Sequence, residues 1–487
     1  MRCIRLGKRL IALCIFLCLT LVGVVALAER KSPSQEMSLM AQIGIPLWIK
    51  EYLGASPEGR RVYRAPVDST WFVVVDAKDK EKFDRIGKGS LVISPDGRRV
   101  AYVAEAGTKQ CVVVDGKEEK QYDHIALSGL VFSPDSRHVA YVAEEGGKQC
   151  VVVGGKQGKQ YDHIGPGSPL FSPDSSRLAY VAQAGAKWFV VVDGREGKRY
   201  DRITGSGPVF SPDSKRLAYG AKRDGKWTVV VDGREGKRYS IIVASGPVFS
   251  PDSKRVAYVA AVNDTWHVVL DGNEVDHYDR IGVGSPVFSP DSKRIAYVIE
   301  TGTKQFVVID GEAQKKYDRI GLSGPVFSPD SKRVAYIAET GATQVVVVDG
   351  KEEKNVGIVV TSTPVFSPDS THIAYAVAAH GKWFVVVDGK DEKYYDRIGG
   401  GSPIFSADSR SMAYIAQTGT QWSVVVDGKE SKRYDGIATL EGANAVSGSF
   451  DSLYCSCIQD NGIYLVEVRT APIVQNSPYG QLGSIEQ

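Results

Sequence analysis

The chain has 487 residues, with 60 Lys+Arg against 57 Asp+Glu and a formal charge of +3. That balance, with no arginine-rich arm and no basic run, removes the electrostatic case for nucleic acid as a partner. Apolar residues make up 43% of the chain, enough for a packed core, and the length suits either two or three ordinary domains or one repeat array.

Residues 1–28 read as a signal peptide. Arg2, Arg5, Lys8 and Arg9 form a basic start, and residues 10–25 are apolar apart from Thr20 and Gly23. Ala26-Leu27-Ala28 then offers small residues where a signal peptidase cuts, so cleavage is expected before Glu29. The competing reading is an uncleaved anchor, because 10–28 is long enough to span a bilayer. Neither Cys14 nor Cys18 sits in a lipoprotein box. The protein is therefore expected to be exported, periplasmic or extracellular, and to meet a membrane only through this segment if it is uncleaved. Residues 29–55 read as a linker or a closing strand, with 47–54 ("LWIKEYLG") as a strand or a short helix.

From there the chain repeats. The motif prolines fall at Pro95, Pro134, Pro173, Pro212, Pro251, Pro290, Pro329 and Pro368, with Ala407 in the next copy, and every step is 39 residues. A looser copy begins at Ser56-Pro57-Glu58-Gly59-Arg60-Arg61-Val62. A period of this size signals a repeat architecture.

One unit, 324–360, parses physically. "GPVFSP" is a short apolar run. "SPDSKR" is a turn, with Pro329 presetting φ and Asp330 and Ser331 supplying local hydrogen bonds. "RVAYIAE" and "QVVVVDG" are strands by composition, the second ending in the hairpin signal Asp349-Gly350. The last strand is clearest elsewhere as "KRYDRI", 198–203. The middle strands are apolar on both faces, as at Val151, Val152 and Val153, which requires a sheet covered on both sides. Nothing in the repeats has helical period.

The expected fold is all-β: a β-propeller of about ten four-stranded blades over 56–469. It forms either one large ring or two tandem rings of five to six blades. The segment 445–468 reads as a worn last unit of three strands, able to close the ring with the N-terminal strand. Residues 470–487 read as a tail.

The blade motif "FSPDSKRVAY", with "ISPDGRRVAY" at 93–102, resembles the TolB-like, WD-repeat-like propeller family. The resemblance implies a blade whose first strand lines a central channel and whose fourth is outermost. It does not imply one function, since that family spans translocation accessories, lectin-like binders and the propeller caps of peptidases. The Trp-Asp dipeptide of WD repeats is absent, and "VVVDG" stands in its place.

The copies differ in a pattern. The residue opening the third strand runs Trp71, Gln110, Gln149, Trp188, Trp227, then Trp266, Gln305, Gln344, Trp383, Trp422. "VDSTW" (67–71) pairs with "VNDTW" (262–266), 195 residues on. A five-unit block, 56–250, is read as duplicated into 251–445. The word "YSIIVASG" (239–246) breaks the motif between the halves, where a crossing between two rings would lie.

The turns are expected to sort onto two faces. "SPDSKR" and "DGKEGK" turns share a charged face, and "AETGTK" and "IGxGSP" turns share a small, neutral one. The glycine-rich mouth on the second face is the candidate ligand surface: Gly89, Ser90, Gly167, Ser168, Gly284, Ser285, Gly401 and Ser402. The bland alternative is that these residues only make the turn. Asp84, Asp123, Asp162, Asp201, Asp279, Asp318, Asp396 and Asp435 recur once per unit, too far apart to share an ion, so inter-blade bonds are expected of them. Cys111 and Cys150 occupy equivalent positions one unit apart, read as small buried residues or as a disulfide across neighbours. The six third-strand tryptophans are expected in the core.

No Gly-x-Ser-x-Gly elbow, zinc spacing or phosphate loop occurs. The same residues recur ten times, whereas catalysis needs a few unlike ones to converge. The expectation is a non-enzymatic scaffold without cofactor or metal, binding a protein partner or a glycan. A propeller-type hydrolase or lyase, or a lectin, is the alternative.

Overall fold

The structure is a computed structural model. It describes residues 85–437 apart from 88–89, 244, 264, 283–285, 354–356, 360–363 and 401–402, with the backbone alone at 85–86, 128 and 276. It also gives the backbone of the strands Glu51–Ala55, Arg61–Val67, Thr70–Val75, Lys78–Asp79, Ser452–Gln459 and Gly462–Arg469. The signal segment 1–28, residues 29–50 and the tail 470–487 lie outside the described residues.

The fold is all-β, built of nine repeated antiparallel sheets with the strand order of propeller blades. They are numbered here as blade 1 (85–118), blade 2 (124–161), blade 3 (163–196), blade 4 (202–239), blade 5 (241–278), blade 6 (280–313), blade 7 (319–352), blade 8 (358–391) and blade 9 (397–430). A four-stranded sheet from 51 to 79 precedes them, and a three-stranded sheet from 436 to 469 follows. Glu51–Ala55 is thus a strand, and it pairs inside its own sheet with Arg61–Val67. Of the three strands expected within 445–468 two are described, Ser452–Gln459 and Gly462–Arg469, and the third strand of their sheet is Gly436–Ile437, which precedes that segment.

Within a blade the first strand comes in two pieces. In blade 7, Arg319–Ile320 and Val326–Phe327 both pair with the second strand, Val334–Thr340. The third strand, Thr343–Val348, and the short fourth, Lys351–Glu352, complete the sheet. Blades 2, 4 and 5 have longer fourth strands, Lys156–Tyr161, Arg234–Tyr239 and Asn273–Tyr278.

Two sequence expectations change here. "KRYDRI" is not one strand. Tyr200 bridges Trp188 in blade 3, whereas Arg202 pairs with Lys222 and Ile203 with Ala221 in blade 4. Asp201 is the crossing between sheets. Nor is "IGxGSP" a turn between strands. Ile320 faces Ala338 and Val326 faces Ala335, so residues 321–325 stand opposite just 336–337 and bulge from the first-strand edge.

Both sheet faces are buried, as the apolar runs require. Val100, Ala101, Tyr102, Val103 and Ala104 are each almost wholly enclosed. The enclosing surface is the next blade. Val142 and Val151 of blade 2 share a core with Tyr180, Ala182, Phe189 and Val191 of blade 3. Each later pair of neighbours repeats this. One blade cannot bury its faces alone, so stability is additive over joints between nearest neighbours.

The step from blade 4 to blade 5 is where two rings would separate. It is packed like the others: Val229 and Tyr239 join Ile242, Val256 and Tyr258 in one cluster. The nine blades form one uninterrupted stack.

Candidate functional site

The recurring polar residues were the natural candidates for chemistry. The structure puts most of them at work in the joints between blades.

On the face of the SPDSKR turns, each Asp closes its own turn. Ser328 Oγ donates to Asp330 Oδ1 at 2.6 Å, and the Lys332 N–H donates to the same oxygen at 3.1 Å. These bonds hold the Asp330 carboxyl down at about 2. The Asp330 N–H then reaches the next blade and donates to Ser370 Oγ at 2.9 Å. The same latch joins every neighbouring pair, including Asp213 to Ser253 at 2.9 Å between blades 4 and 5. The arginine two residues past the serine staples the joint. Arg216 Nη1 donates to Ser253 O at 3.0 Å and Lys254 O at 2.7 Å, and its Nε donates to Asp232. Its guanidinium lies over the Phe249 ring. His138 replaces this arginine in blade 2, Ser411 in blade 9 and His372 in blade 8, where His372 Nδ1 lies 2.6 Å from Asp388 Oδ2.

The opposite face carries the Tyr-Asp-Arg crossings and the turns between second and third strands. Asp318 accepts from Lys304 Nζ at 2.6 Å and from the Gly341 N–H of the next blade at 2.7 Å. Asp396 does the same with Lys382 and Gly419, and Asp162 with Lys148 and Gly185. The lysine bond is the main reason that these carboxyls sit below the usual range. Asp123, Asp162, Asp201, Asp279, Asp318 and Asp396 are bonded across joints, as their spacing suggested; Asp84 lies outside the described residues.

Between the faces, paired tyrosines fill most joints edge to face, as Tyr317 and Tyr336 do at 6.4 Å, whereas Val356 replaces the first tyrosine between blades 7 and 8. Along the outer edge Lys315 Nζ reaches Glu352 of the next blade at 2.6 Å, and Lys159, Lys237 and Lys393 repeat this.

The glycine-rich segment is also partly committed. Ser90 is 0% exposed, and its Oγ accepts from the Val103 N–H at 3.1 Å while donating to Gly87 O at 2.8 Å. Ser168 Oγ likewise accepts from the Val181 N–H at 2.9 Å. Each hydroxyl stands in for the carbonyl that the bulge removes from the ladder. Gly167 has φ +68°, and a Cβ there would meet Ser206 O of the next bulge at 2.9 Å. Successive bulges are thus in close backbone contact, which is what the glycine serves. Gly89, Gly284, Ser285, Gly401 and Ser402 lie outside the described residues. The bulge tips Leu127 and Leu322 are exposed.

Cys111 and Cys150 are buried in successive core clusters and are not joined by a disulfide. Among the described residues no group of three or more His, Cys, Asp or Glu is placed to hold a metal ion. Trp188, Trp227, Trp266, Trp383 and Trp422 are half-buried at the crossing-face end of the third strand, less enclosed than expected. Arg397 lies over the Trp383 ring and Lys222 over that of Trp227.

The Trp/Gln alternation has a structural counterpart. Gln344 Oε1 accepts from the Val359 N–H of the next blade at 2.9 Å, and its Nε2 donates to Glu339 at 2.7 Å. Glu stands opposite Gln in blades 1, 2, 6 and 7, at Glu105–Gln110, Glu144–Gln149, Glu300–Gln305 and Glu339–Gln344. Opposite the described tryptophans stand Gln183, Lys222, Ala261, Ala378 and Gln417.

These paired positions extend to the first strand and form one row per blade on the crossing face. Blade 4 reads Arg202, Lys222, Trp227, and blade 6 reads Arg280, Glu300, Gln305. Two blades depart from the polar pattern. Blade 5 reads Ile241, Ala261, Trp266, and blade 8 reads Ile358, Ala378, Trp383. The word "YSIIVASG" stood out in the sequence only as the place where a crossing between two rings would lie; aligning the first, second and third strands of each unit exposes both rows.

No family model matches the chain. No curated protein matches it either. Solved structures that match include a eukaryotic initiation factor at 12% identity and TM-score 0.39, covering 69% of this chain and 96% of that chain. TolB from Acinetobacter baumannii matches at 16% identity and TM-score 0.25, over 52% of this chain and 77% of that chain. The Dos1 propeller matches at 10% identity and TM-score 0.30, over 61% of this chain and 90% of that chain. These likenesses are too low to argue from. The blade assignment rests on the strand order and the stacked cores described above.

Proposed function

We propose that this chain is an exported, non-enzymatic propeller of the TolB-like, WD-repeat-like kind that serves as a protein-binding scaffold. One observation carries the reading. The polar residues that recur in most units are bonded across the joints, so repetition here builds a rigid body and leaves recognition to the positions that vary. The Ser-Pro-Asp-Ser turn, the Arg staple, the Asp crossing and the Lys–Glu belt each hold one blade to the next.

Export follows from the basic, apolar and Ala-Leu-Ala segments of residues 1–28. N-terminal sequencing of the protein made by its own cell, with fractionation, tests it: a start at Glu29 in the exported fraction supports cleavage. In-cell crosslinking with mass spectrometry tests the scaffold reading, which predicts a protein partner bridged to this chain. Turnover of a glycoside or peptide panel by the purified protein, lost on a point substitution, would favour the hydrolase reading instead. Glycan binding with quenching of tryptophan fluorescence would favour the lectin reading.

A further inference from the structure

The first-strand position of the crossing face forms an arc of one residue per blade. From blade 4 to blade 9 it reads Arg202, Ile241, Arg280, Arg319, Ile358, Arg397. Each isoleucine is flanked on both sides by an arginine. Ile241 is 45% exposed and Ile358 56% exposed, whereas large aliphatic side chains elsewhere in the stack are mostly enclosed. The four arginines are exposed, and among the described residues none of them makes an ion pair. The SPDSKR arginines differ in this respect, being held by aspartates such as Asp232 and Asp310.

Both isoleucine blades have also lost the crossing aspartate. Ser240 and Gly357 stand where the other units carry Asp. Gly357 has φ +143°, and a Cβ there would meet Ala378 O at 2.4 Å, so this crossing lies flush against the alanine of its row. The same set of changes (Asp lost, Arg to Ile, Ala beneath, Trp behind) occurs twice, 117 residues or three blades apart. A single drifted unit would not reproduce that combination.

We infer that the two Ile–Ala–Trp rows are paired docking points for one acidic protein segment that carries two apolar anchor side chains. The isoleucine and the half-buried indole take the anchor, and the arginines on either side take carboxylates next to it. Arginines that lack an ion pair around an apolar point, Arg397 among them over the Trp383 ring, select for negative charge beside the anchor and steer its approach. Sheets stack about 10 Å apart, so the anchors lie on the order of 30 Å from each other. An extended segment of roughly ten residues spans that distance. Simultaneous engagement of both rows raises affinity over one row by about 10²-fold or more.

This inference rests on the scaffold reading, and the experiment separates the two. The probe is a fluorescent synthetic peptide with two Asp-Glu-Leu-Glu-Asp boxes joined by a flexible Gly-Ser linker of about twenty residues. Its binding to the full chain is read by anisotropy. Ile241→Arg and Ile358→Arg install the residue that equivalent blades carry, so they leave the fold intact. The expected result is a loss of about 10²-fold or more in affinity for either variant, and no binding for the double variant. The affinity also falls steeply with salt. No binding to the unaltered chain, equal binding of a Leu-to-Ser peptide, or equal binding by the double variant each overturns the inference. Anionic phosphatidylglycerol vesicles that bind in an isoleucine-dependent way while the peptide does not would assign the rows to a membrane and overturn it too. In-cell crosslinking of the double variant completes the comparison. A partner lost from the variant supports the inference. A partner retained by it overturns the docking rows and leaves the scaffold reading standing. No partner for either chain overturns both.

Discussion

Across the joint between blades 7 and 8, the Asp330 main-chain N–H donates to Ser370 Oγ at 2.9 Å, and Ser370 sits at φ +67° to receive it. A serine in the left-handed region costs about 1–2 kcal/mol that glycine would not. The hydroxyl offsets that cost by satisfying an N–H in the joint. Blade 1 carries Gly97 at this position, with φ +68° and no hydroxyl to offer the sheet before it.

Ser370→Gly keeps the turn conformation and removes the latch. It is expected to lower stability by about 1 kcal/mol. Ser370→Ala loses the latch and keeps the strain, so it should cost more, by about 1–2 kcal/mol. Urea midpoints at a constant slope check the order. An alanine variant as stable as the glycine variant would contradict it.

The joints should fail in acid. Asp330 and Asp369 are held at about 2, well below the ordinary 3.8, first by the Ser328 and Ser367 hydroxyls and then by backbone N–H groups. A carboxyl lowered by folding stabilises the fold fully above its unfolded value and loses that contribution as pH falls through its folded value. Stability is therefore expected to hold above about pH 4 and to fall progressively toward pH 2. Ser328→Ala should raise the Asp330 value, as followed by carboxyl NMR shifts.

The alkaline side runs in the opposite sense. Burial pushes the Tyr122, Tyr336 and Tyr414 phenols up to about 12 from 10. Folding favours their neutral form, so the stabilisation is complete below pH 10 and is lost as pH rises toward 12. Phenolate absorbance should lag behind that of free tyrosine until the chain unfolds.

Two tyrosines at equivalent positions should respond differently to loss of the hydroxyl. Tyr141 donates to Glu119 Oε2 at 2.8 Å, whereas the buried Tyr336 hydroxyl has no hydrogen-bond partner among the described residues. Tyr141→Phe is expected to cost about 1.5–3 kcal/mol, and Tyr336→Phe to be neutral or slightly stabilising. Thermal melts of the two variants check this.

The glutamine joints make a further prediction. Gln344→Ala leaves the Val359 N–H without its acceptor and should cost about 1–3 kcal/mol. Gln344→Glu places a carboxylate opposite Glu339 and should cost more at neutral pH than in acid. Paired urea titrations at about pH 7 and pH 4 separate the two effects.

Local features of this fold were legible in the sequence. The Ser-Pro-Asp-Ser turns and the apolar second and third strands depend on neighbours within a few residues of each other, and the blade period shows as self-similarity at 39 residues. What was misread depends on partners in another sheet. Asp201 looked like the middle of a strand because the sequence does not show that Tyr200 pairs backward and Arg202 forward. Gly167 and Ser168 could be read as a ligand mouth or as turn residues alone, because nothing local shows the bulge of the next blade against them. The latch was readable in principle, since donor and acceptor stand 40 residues apart, one more than the period. The Ile241 and Ile358 rows needed three strands aligned at once.

The central claim is that the blades form one unbroken body whose repeated polar residues are joints. Electron cryomicroscopy of the chain tests it most directly at the step between residues 239 and 241. The account predicts blade 5 stacked on blade 4 at the same spacing as every other pair, with Ser253 against Asp213. Two separate discs divided at that step would contradict it.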